Sequence, residues 1–357
     1  MTEGYGTESA DGHRDGPGAL PFGVARWSQA ATLGRGWVGI AANPASGWGG
    51  SRSRVGRLIQ ELKRHGLKAC VAWTLAERSA LVAESARDPG CRCLVAAGGD
   101  GTVGALVNER PGVPITVLPS GTENLFARHF GLGREPARLA ATIAAGRVVR
   151  IDLGLTGARR FALMAGIGFD ADVVTRHHLA RVGRRGVMRP THRAAYVEPV
   201  LRSSLRYRFP TLTTSILDPG REETLTGTTA FFFNLPSYAL GLPFVPLARG
   251  DDGWLDLLVF RDSGPFRALR YLWLVVRGIH LDDPGVHHRK VRRVAISSTE
   301  DVPIQLDGDP GGFVVAGGGA DGGERVVEVL PRAVDVLIPR ANSSYNSSTR
   351  DGKRVGS

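Results

Sequence analysis

The sequence predicts a three-layer α/β domain followed by a mostly antiparallel β domain, and two observations carry that expectation. From Gly36 to Leu125, short apolar runs alternate with segments of helical periodicity, the pattern of βα units around a parallel sheet. Beyond Val148, β-type runs follow one another, separated by the turns Asp218-Pro-Gly, Asp251-Asp-Gly and Asp309-Pro-Gly-Gly. The expected organisation is a disordered tail over residues 1–35, the α/β domain over 36–150, the β domain over 151–340 and a loose Ser-, Asn- and Arg-rich tail over 341–357.

Trp37 to Ala42 reads as the first strand and ends in the turn-forming cluster Asn43-Pro-Ala-Ser-Gly47. Val55, Leu58, Ile59 and Leu62 fall at helical spacing, with Gly66 as the stop. A second strand, Ala69 to Trp73, leads to a helix around Arg78 to Arg87. A third, from Cys93, breaks into Gly98-Gly99-Asp100-Gly101-Thr102, and a helix over Val103 to Asn108 follows. Ile115 to Leu118 is the fourth strand; Pro119-Ser-Gly-Thr-Glu-Asn124 then opens a helix from Leu125. All three polar turns fall at the carboxyl edge of a parallel sheet, where ligands of such folds bind. In the second half, strands are expected at 148–153, 161–164, 212–217, 228–233, 255–260, 291–297, 302–306 and 326–329, with helices at about 171–205 and 264–279.

The Gly98 to Gly104 loop is the most telling stretch. Consecutive glycines let the backbone approach a ligand closely, and the next helix aims free N–H groups at the same spot. A polyphosphate fits such a place. Asp100 among phosphate-binding amides is repulsive unless a cation or a transferable proton is near, which points to nucleotide chemistry with Mg²⁺. Gly99, Gly101 and Gly104 formally match the dinucleotide fingerprint, with Glu123 about twenty residues on. The loop follows the third strand, however, and Glu123 sits in a turn. No Walker-type P-loop occurs anywhere in the chain.

Composition excludes several classes. Hydrophobic content of 42% and charged content of 22% are those of a globular protein. No apolar run reaches the length of a membrane span; the longest candidate is Tyr271 to Val276. The N-terminus has no signal-peptide pattern, so a cytoplasmic location is expected. Three cysteines make no disulfide framework; Cys91-Arg-Cys93 lacks a second ligand pair, so Cys93 reads as a buried thiol. A net charge of +11 favours a polyanionic partner: nucleotide, anionic lipid surface or nucleic acid. No recognition motif supports nucleic acid, and none is expected as a partner.

Taken in order, Asn43-Pro-Ala-Ser-Gly47, Gly98-Gly-Asp-Gly-Thr102, Pro119-Ser-Gly-Thr-Glu-Asn-Leu-Phe-Ala-Arg128, Gly166-Ile-Gly-Phe-Asp170, Gly250-Asp-Asp-Gly253 and Leu306-Asp-Gly-Asp309 resemble the diacylglycerol kinase catalytic domain family, its bacterial soluble lipid kinases above all. The resemblance spans roughly residues 36–338 and extends to NAD kinases and 6-phosphofructokinases, which share the Gly-Gly-Asp-Gly-Thr loop. It implies a nucleotide-binding α/β domain and a lipid-binding β-sandwich. It also implies ATP and Mg²⁺ as cofactors and a lipid alcohol as acceptor, with diacylglycerol first and a sphingoid base, ceramide or soluble alcohol as alternatives. A non-catalytic nucleotide-binding homologue is a further alternative. ATP contacts carry over to Asn43, Thr74, Gly98, Gly99, Asp100, Gly101, Thr102, Val103, Gly104, Gly121 and Thr122. A Mg²⁺ site carries over to the Asp252 carboxylate with the carbonyls of Arg249 and Trp254. The general base falls on Asp309, where most relatives have the longer Glu, with Asp100 as the second catalytic carboxylate. Leu125 stands where many relatives have Asp, and Asp152 matches at the junction between domains. Nine arginines and one acid between Arg176 and Arg208 suggest docking on an anionic membrane surface, peripheral at the inner face. Asn234 to Pro246 reads either as an acyl-chain entrance or as a packed β connection. The oligomeric state stays open, a homodimer included.

Overall fold

The computed structural model describes residues 36–44, 46, 51–181, 198, 202–203, 206–238, 241–317 and 324–340. The expected tails at 1–35 and 341–357, and most of the Arg176–Arg208 stretch, lie outside the described residues. The first half is a run of βα units: β1 (Trp37–Ala42), α1 (Ser51–Arg64), β2 (Lys68–Ala72), α2 (Leu75–Arg87), β3 (Cys91–Gly98), α3 (Asp100–Asn108) and β4 (Ile115–Pro119). The strands run parallel in the order β2-β1-β3-β4. All six residues of β1 are buried, as expected of a strand with helices over both faces. Because β1 has β2 on one side and β3 on the other, the order reverses between β1 and β3. The crevice at such a switch point is where an open α/β sheet takes its ligand.

The glycine loop is shorter than the sequence suggested. Helix α3 already begins at Asp100, with Gly99 as an N-cap that offers no side-chain hydrogen bond. The amides of Asp100 and Gly101 are therefore left without acceptors along the helix, while that of Thr102 already donates to the Gly99 carbonyl at 2.9 Å. After β4 come α4 (Leu125–His129) and α5 (Pro136–Ala145). Helix α5 was not anticipated; proline at its first turn starts it.

The second half comprises β5 (Arg147–Thr156), β6 (Arg159–Phe161), β7 (Met164–Gly168), α6 (Phe169–Arg181), β8 (Leu212–Asp218), β9 (Arg221–Gly227), β10 (Thr229–Phe233), β11 (Ser237–Tyr238), β12 (Leu242–Pro243), β13 (Leu255–Phe260), α7 (Pro265–Arg277), β14 (Val286–Val291), β15 (Arg293–Ser298), β16 (Val302–Leu306), β17 (Asp309–Val314) and β18 (Arg325–Ile338). A six-stranded antiparallel sheet, β14-β13-β10-β7-β16-β17, packs over the antiparallel part of a ten-stranded sheet. Period two decides the layering. Ala230 and Phe232 of β10 face the inter-sheet core with Ile167, Leu257 and Val294. Phe231 and Phe233 face the opposite side, joining Phe244, Phe260 and Tyr271. All five residues of β10 are consequently buried.

Strand β18 joins the halves. It pairs antiparallel with β5 along most of its length and with β15, and it meets β4 in parallel at Val336 and Ile115. One sheet thus runs β2-β1-β3-β4-β18-β15-β8-β9 through both halves.

Further expectations change, among them the strand expected at 291–297, which breaks at Arg292 between β14 and β15. The strand expected at 161–164 is instead the break between β6 and β7, because the amides of Ala162, Leu163 and Met164 turn to the Asp307 carboxylate. Strand β9 escaped notice because it is an edge strand burying only Leu225 and Gly227, so its sequence is mostly polar.

Candidate active site

The loops after β1, β3 and β4 meet at the carboxyl edge of the parallel sheet. The Asn43 amide donates to the Ala97 carbonyl at 3.0 Å. Ser120 Oγ donates to Ser46 Oγ at 2.9 Å, tying the first loop to the third. Between the second and third loops there is no room for side chains. A Cβ on Gly121 would lie 2.6 Å from Gly99 Cα, and one on Gly98 would lie 1.9 Å from Thr102 Oγ1. Gly121 is required by close backbone approach to Gly99, and Gly98 by the Thr102 side chain folded back over it. Asn124, buried and at φ 52°, clamps the third loop by accepting from the Gly121 amide and donating to the Gly121 carbonyl. Gly98 to Gly104, Gly121 and Thr122 are thus brought together. Thr74 sits apart: it caps α2, accepting from the Glu77 amide beyond the edge strand β2.

Asp100 has a structural task visible in its contacts. Its two carboxylate oxygens accept the amides of Leu125 and Phe126, each at 3.0 Å, and so cap α4. The same side chain therefore binds the β3 loop to the segment after β4. Burial pushes its carboxyl up from the ordinary aspartate range, opposed by those two amides.

Over two hundred residues downstream, the Leu306-Asp-Gly-Asp309 loop rests on the first turns of α3. Asp309 Oδ2 lies 3.2 Å from the point a Cβ on Gly101 would occupy, and Asp307 Oδ2 lies 3.8 Å from the corresponding point on Gly104. Two glycines one turn apart open that helix face to both carboxylates. Asp307 is fully engaged, accepting the amides of Ala162, Leu163 and Met164 at 2.7–3.0 Å. Burial nonetheless pushes its carboxyl up to about 6. Asp309, two residues on and past Gly308 at φ 86°, borders a cleft of about 430 Å³. Gly101, Asn108, Arg78 and Arg160 line the same cleft. Arg78 pairs with Glu109 at 3.2 Å. An acid beside an uncapped helix N-terminus, with guanidinium groups on the rim, suits proton abstraction from a hydroxyl next to a phosphate.

Comparison with known proteins covers both halves of the chain. Residues 38–156 match the diacylglycerol kinase catalytic domain, and residues 165–338 match the YegS C-terminal NAD kinase beta sandwich-like domain. The chain belongs to the diacylglycerol kinase catalytic domain family. Among its relatives, the diacylglycerol kinase of Bacillus subtilis strain 168 is 27% identical over 297 residues, covering 77% of this chain and 90% of that protein. That of Mycobacterium tuberculosis strain H37Rv is 28% identical over 314 residues, covering 85% and 96%. A crystal structure of a diacylglycerol kinase from Bacillus anthracis strain Sterne shares the fold, with a TM-score of 0.63 over 86% of this chain and 98% of that one, at 20% identity. The two-domain reading of the fold, a parallel α/β sheet followed by an antiparallel sandwich, holds for this kinase.

The Mg²⁺ site that the family resemblance implied needs a fit to this kinase's residues. Asp252 Oδ1 accepts the Trp254 amide at 3.1 Å, and its Oδ2 is ion-paired with Lys290 Nζ. Asp251 is held by Arg249 at 3.1 Å. Among the described residues no group of three or more His, Cys, Asp or Glu side chains could hold a metal. An ammonium already neutralises the one carboxylate of the expected set, so the residues as arranged do not fit a resident divalent ion. The loop is anchored from below by buried Asp152, which accepts the amides of Gly253 and Arg332 at 2.7 Å each. Asp152 thus does sit where β5, β18 and the 250–254 loop meet.

Sequence reasoning quoted Asp307 and Asp170 without giving either a role. Asp170 accepts Gln305 Nε2 at 3.0 Å and the Tyr238 hydroxyl at 3.2 Å, and burial pushes its carboxyl up to about 6. Gln305 Oε1 in turn accepts the Gly308 amide at 2.8 Å. These two aspartates hold the loop that presents Asp309. The signal was present in part, since both lie in the family's motifs. Arg159 and Arg160, which line the cleft, carried no signal beyond their charge. The described part of the Asn234–Pro246 stretch packs inward: Leu235, Tyr238, Phe244 and Val245 are buried in the core. Cys70, Cys91 and Cys93 are buried free thiols.

Proposed function

We propose that this kinase transfers the γ-phosphate of ATP, which enters with Mg²⁺ as its substrate partner, to a lipid hydroxyl, diacylglycerol before other lipid alcohols. The placement of Asp309 against the first turn of α3 carries the reading. The amides of Gly99 to Gly101 and the dipole of α3 would take the phosphates, with Asn43, Val103 and Thr122 as further nucleotide contacts. Asp309 would accept the hydroxyl proton. Phosphoryl transfer needs alignment and neutralised charge more than covalent chemistry. The pieces at hand suit that: amides on one side, a carboxylate on the other, and Arg78 and Arg160 on the rim. Asp100 serves as a positioning residue, because its carboxylate locks the β3 loop to α4. Asp309, shorter than the Glu that the family resemblance implies here, comes against the helix where Gly101 offers no Cβ.

The test is ATP turnover against a panel of lipid alcohols in mixed micelles, with Asp309→Ala and Asp100→Ala beside the unaltered protein. Lipid-dependent turnover that Asp309→Ala abolishes supports the reading. Turnover on a soluble alcohol alone, as in NAD kinases, overturns the lipid part; equal turnover by Asp309→Ala overturns the assignment of the base. Work at the inner membrane face follows from a lipid acceptor, and no helix among the described residues is long and apolar enough to cross a membrane.

A further inference from the structure

Helix α7 leaves an apolar face uncovered. It buries Tyr271, Leu274 and Val275 against the sandwich, yet Phe266 is 86% exposed, Leu269 52%, Trp273 55% and Val276 60%. These four recur at steps of three, four and three residues, so they form one stripe about 15 Å long. Leu272 and Ile279 widen it. The helix carries three arginines and no acid: Arg267, Arg270 and Arg277. Arg277 lies over the Trp273 ring at 5.6 Å, while Arg267 and Arg270 pair with Asp262 and Asp283 behind the stripe. A monomeric protein rarely leaves a stripe of this kind in water.

We propose that the exposed face of α7 docks this kinase on an anionic lipid bilayer, with Phe266, Leu269, Trp273 and Val276 entering the headgroup–acyl boundary. Aromatic and aliphatic side chains on one face with arginines beside them are the make-up of an interfacial helix. The charge agrees through Arg277 beside Trp273 and through the chain's +11, which an anionic leaflet complements, while Arg267 and Arg270 are matched by Asp262 and Asp283. The choice of a bilayer over another partner rests on the lipid-kinase reading above; the exposed stripe does not. Contacts continue inward from the helix. Tyr271 packs on Phe260, Phe260 on Phe231, Phe231 on Phe244 and Phe244 on Tyr238. The Tyr238 hydroxyl then reaches Asp170, which with Gln305 braces the Asp309 loop. The docking face and the catalytic loop are thus parts of one packed body.

Sedimentation with phosphatidylcholine vesicles containing phosphatidylglycerol, in the absence of ATP, tests the proposal. The full chain is compared with Phe266→Ser/Trp273→Ser, both of which are exposed positions outside the site. Binding should fall by at least about tenfold, and phosphatidylcholine alone should bind the unaltered protein more weakly. Undiminished binding by the double variant overturns the proposal. So does light scattering that finds a dimer split by the substitutions with vesicle binding unchanged, because the stripe is then a self-interface. Turnover on a short-chain diacylglycerol below its micelle concentration separates the two readings. The double variant should keep it, and failure of the unaltered protein there, with vesicle binding intact, counts against the lipid-kinase reading alone.

Discussion

Two acidic turns of similar sequence, Asp251-Asp252-Gly253 and Asp307-Gly308-Asp309, have opposite fates. In the first, every carboxylate is matched by a local cation or amide: Asp252 by Lys290, Asp251 by Arg249, and the turn itself by Asp152 beneath it. In the second, Asp307 absorbs three amides and thereby sets the loop, while Asp309 is delivered to the cleft beside α3. In isolation the first reads as an ordinary turn, and only the family resemblance singles out the second. What separates them is the neighbour that the fold supplies, a lysine in one case and a glycine-faced helix N-terminus in the other.

The sharpest way to break that contrast is Asp309→Ala. Turnover should drop at least about a hundredfold with ATP affinity retained, and the midpoint of thermal unfolding should barely move. A large loss of stability with ordinary residual turnover would place Asp309 with the structural turn instead.

Next in size is Gly121→Ala. Its Cβ would meet Gly99 Cα at 2.6 Å and Asn124 Oδ1 at 3.1 Å, so the two glycine loops must part. A stability loss of about 1–3 kcal/mol is expected in denaturant titrations, together with weaker ATP binding. Gly104→Ala is the control, since its Cβ would sit at an ordinary 3.8 Å from Asp307 Oδ2; it should cost no more than about 0.5 kcal/mol.

A pH series sharpens the bracing role of Asp170. Its folded carboxyl is raised to about 6, above the unfolded value of about 3.9. Its contribution to stability is therefore fully present below about pH 4 and is lost as pH rises through about 6. The stability advantage of the unaltered protein over Asp170→Asn should shrink across that window, by an amount on the order of 2 kcal/mol. A difference that stays flat, or grows toward neutral pH, would contradict the burial of a costly charge there.

The smallest effect concerns the first turn. Lys290→Met should lower the unfolding midpoint by about 2 °C, and millimolar Mg²⁺ should restore it by filling the place of the ammonium. The unaltered protein should respond to neither Mg²⁺ nor chelator. If chelation alone lowers its midpoint, a metal displaces Lys290 and the two acidic turns differ less than the contacts indicate.

Much of the fold was legible because its signals are local. Strands β1, β3 and β4 are apolar runs that end in glycine-rich turns, and α1 repeats Val55, Leu58 and Leu62 at helical spacing. Elements with little such signal were missed: polar edge strand β9, and the short α5, whose core face is only Pro136, Leu139, Ala140, Thr142 and Ile143. The break at Ala162-Leu163 was hidden for another reason, since the carboxylate that imposes it is more than 140 residues away.

By itself, then, the sequence determined the order of the βα units, the glycine loop with its helix, and the motif set that marks the family. These depend on backbone preferences and apolar periodicity over a few residues. Only the tertiary structure decided that Asp100 caps α4, that Lys290 occupies Asp252 and that Asp309 meets Gly101. Each is a contact between segments that chain spacing leaves unrelated. Strand β18 joins the two halves by pairing with β4, β5 and β15, and packing against that shared sheet fixes the carboxylate opposite the glycine loop.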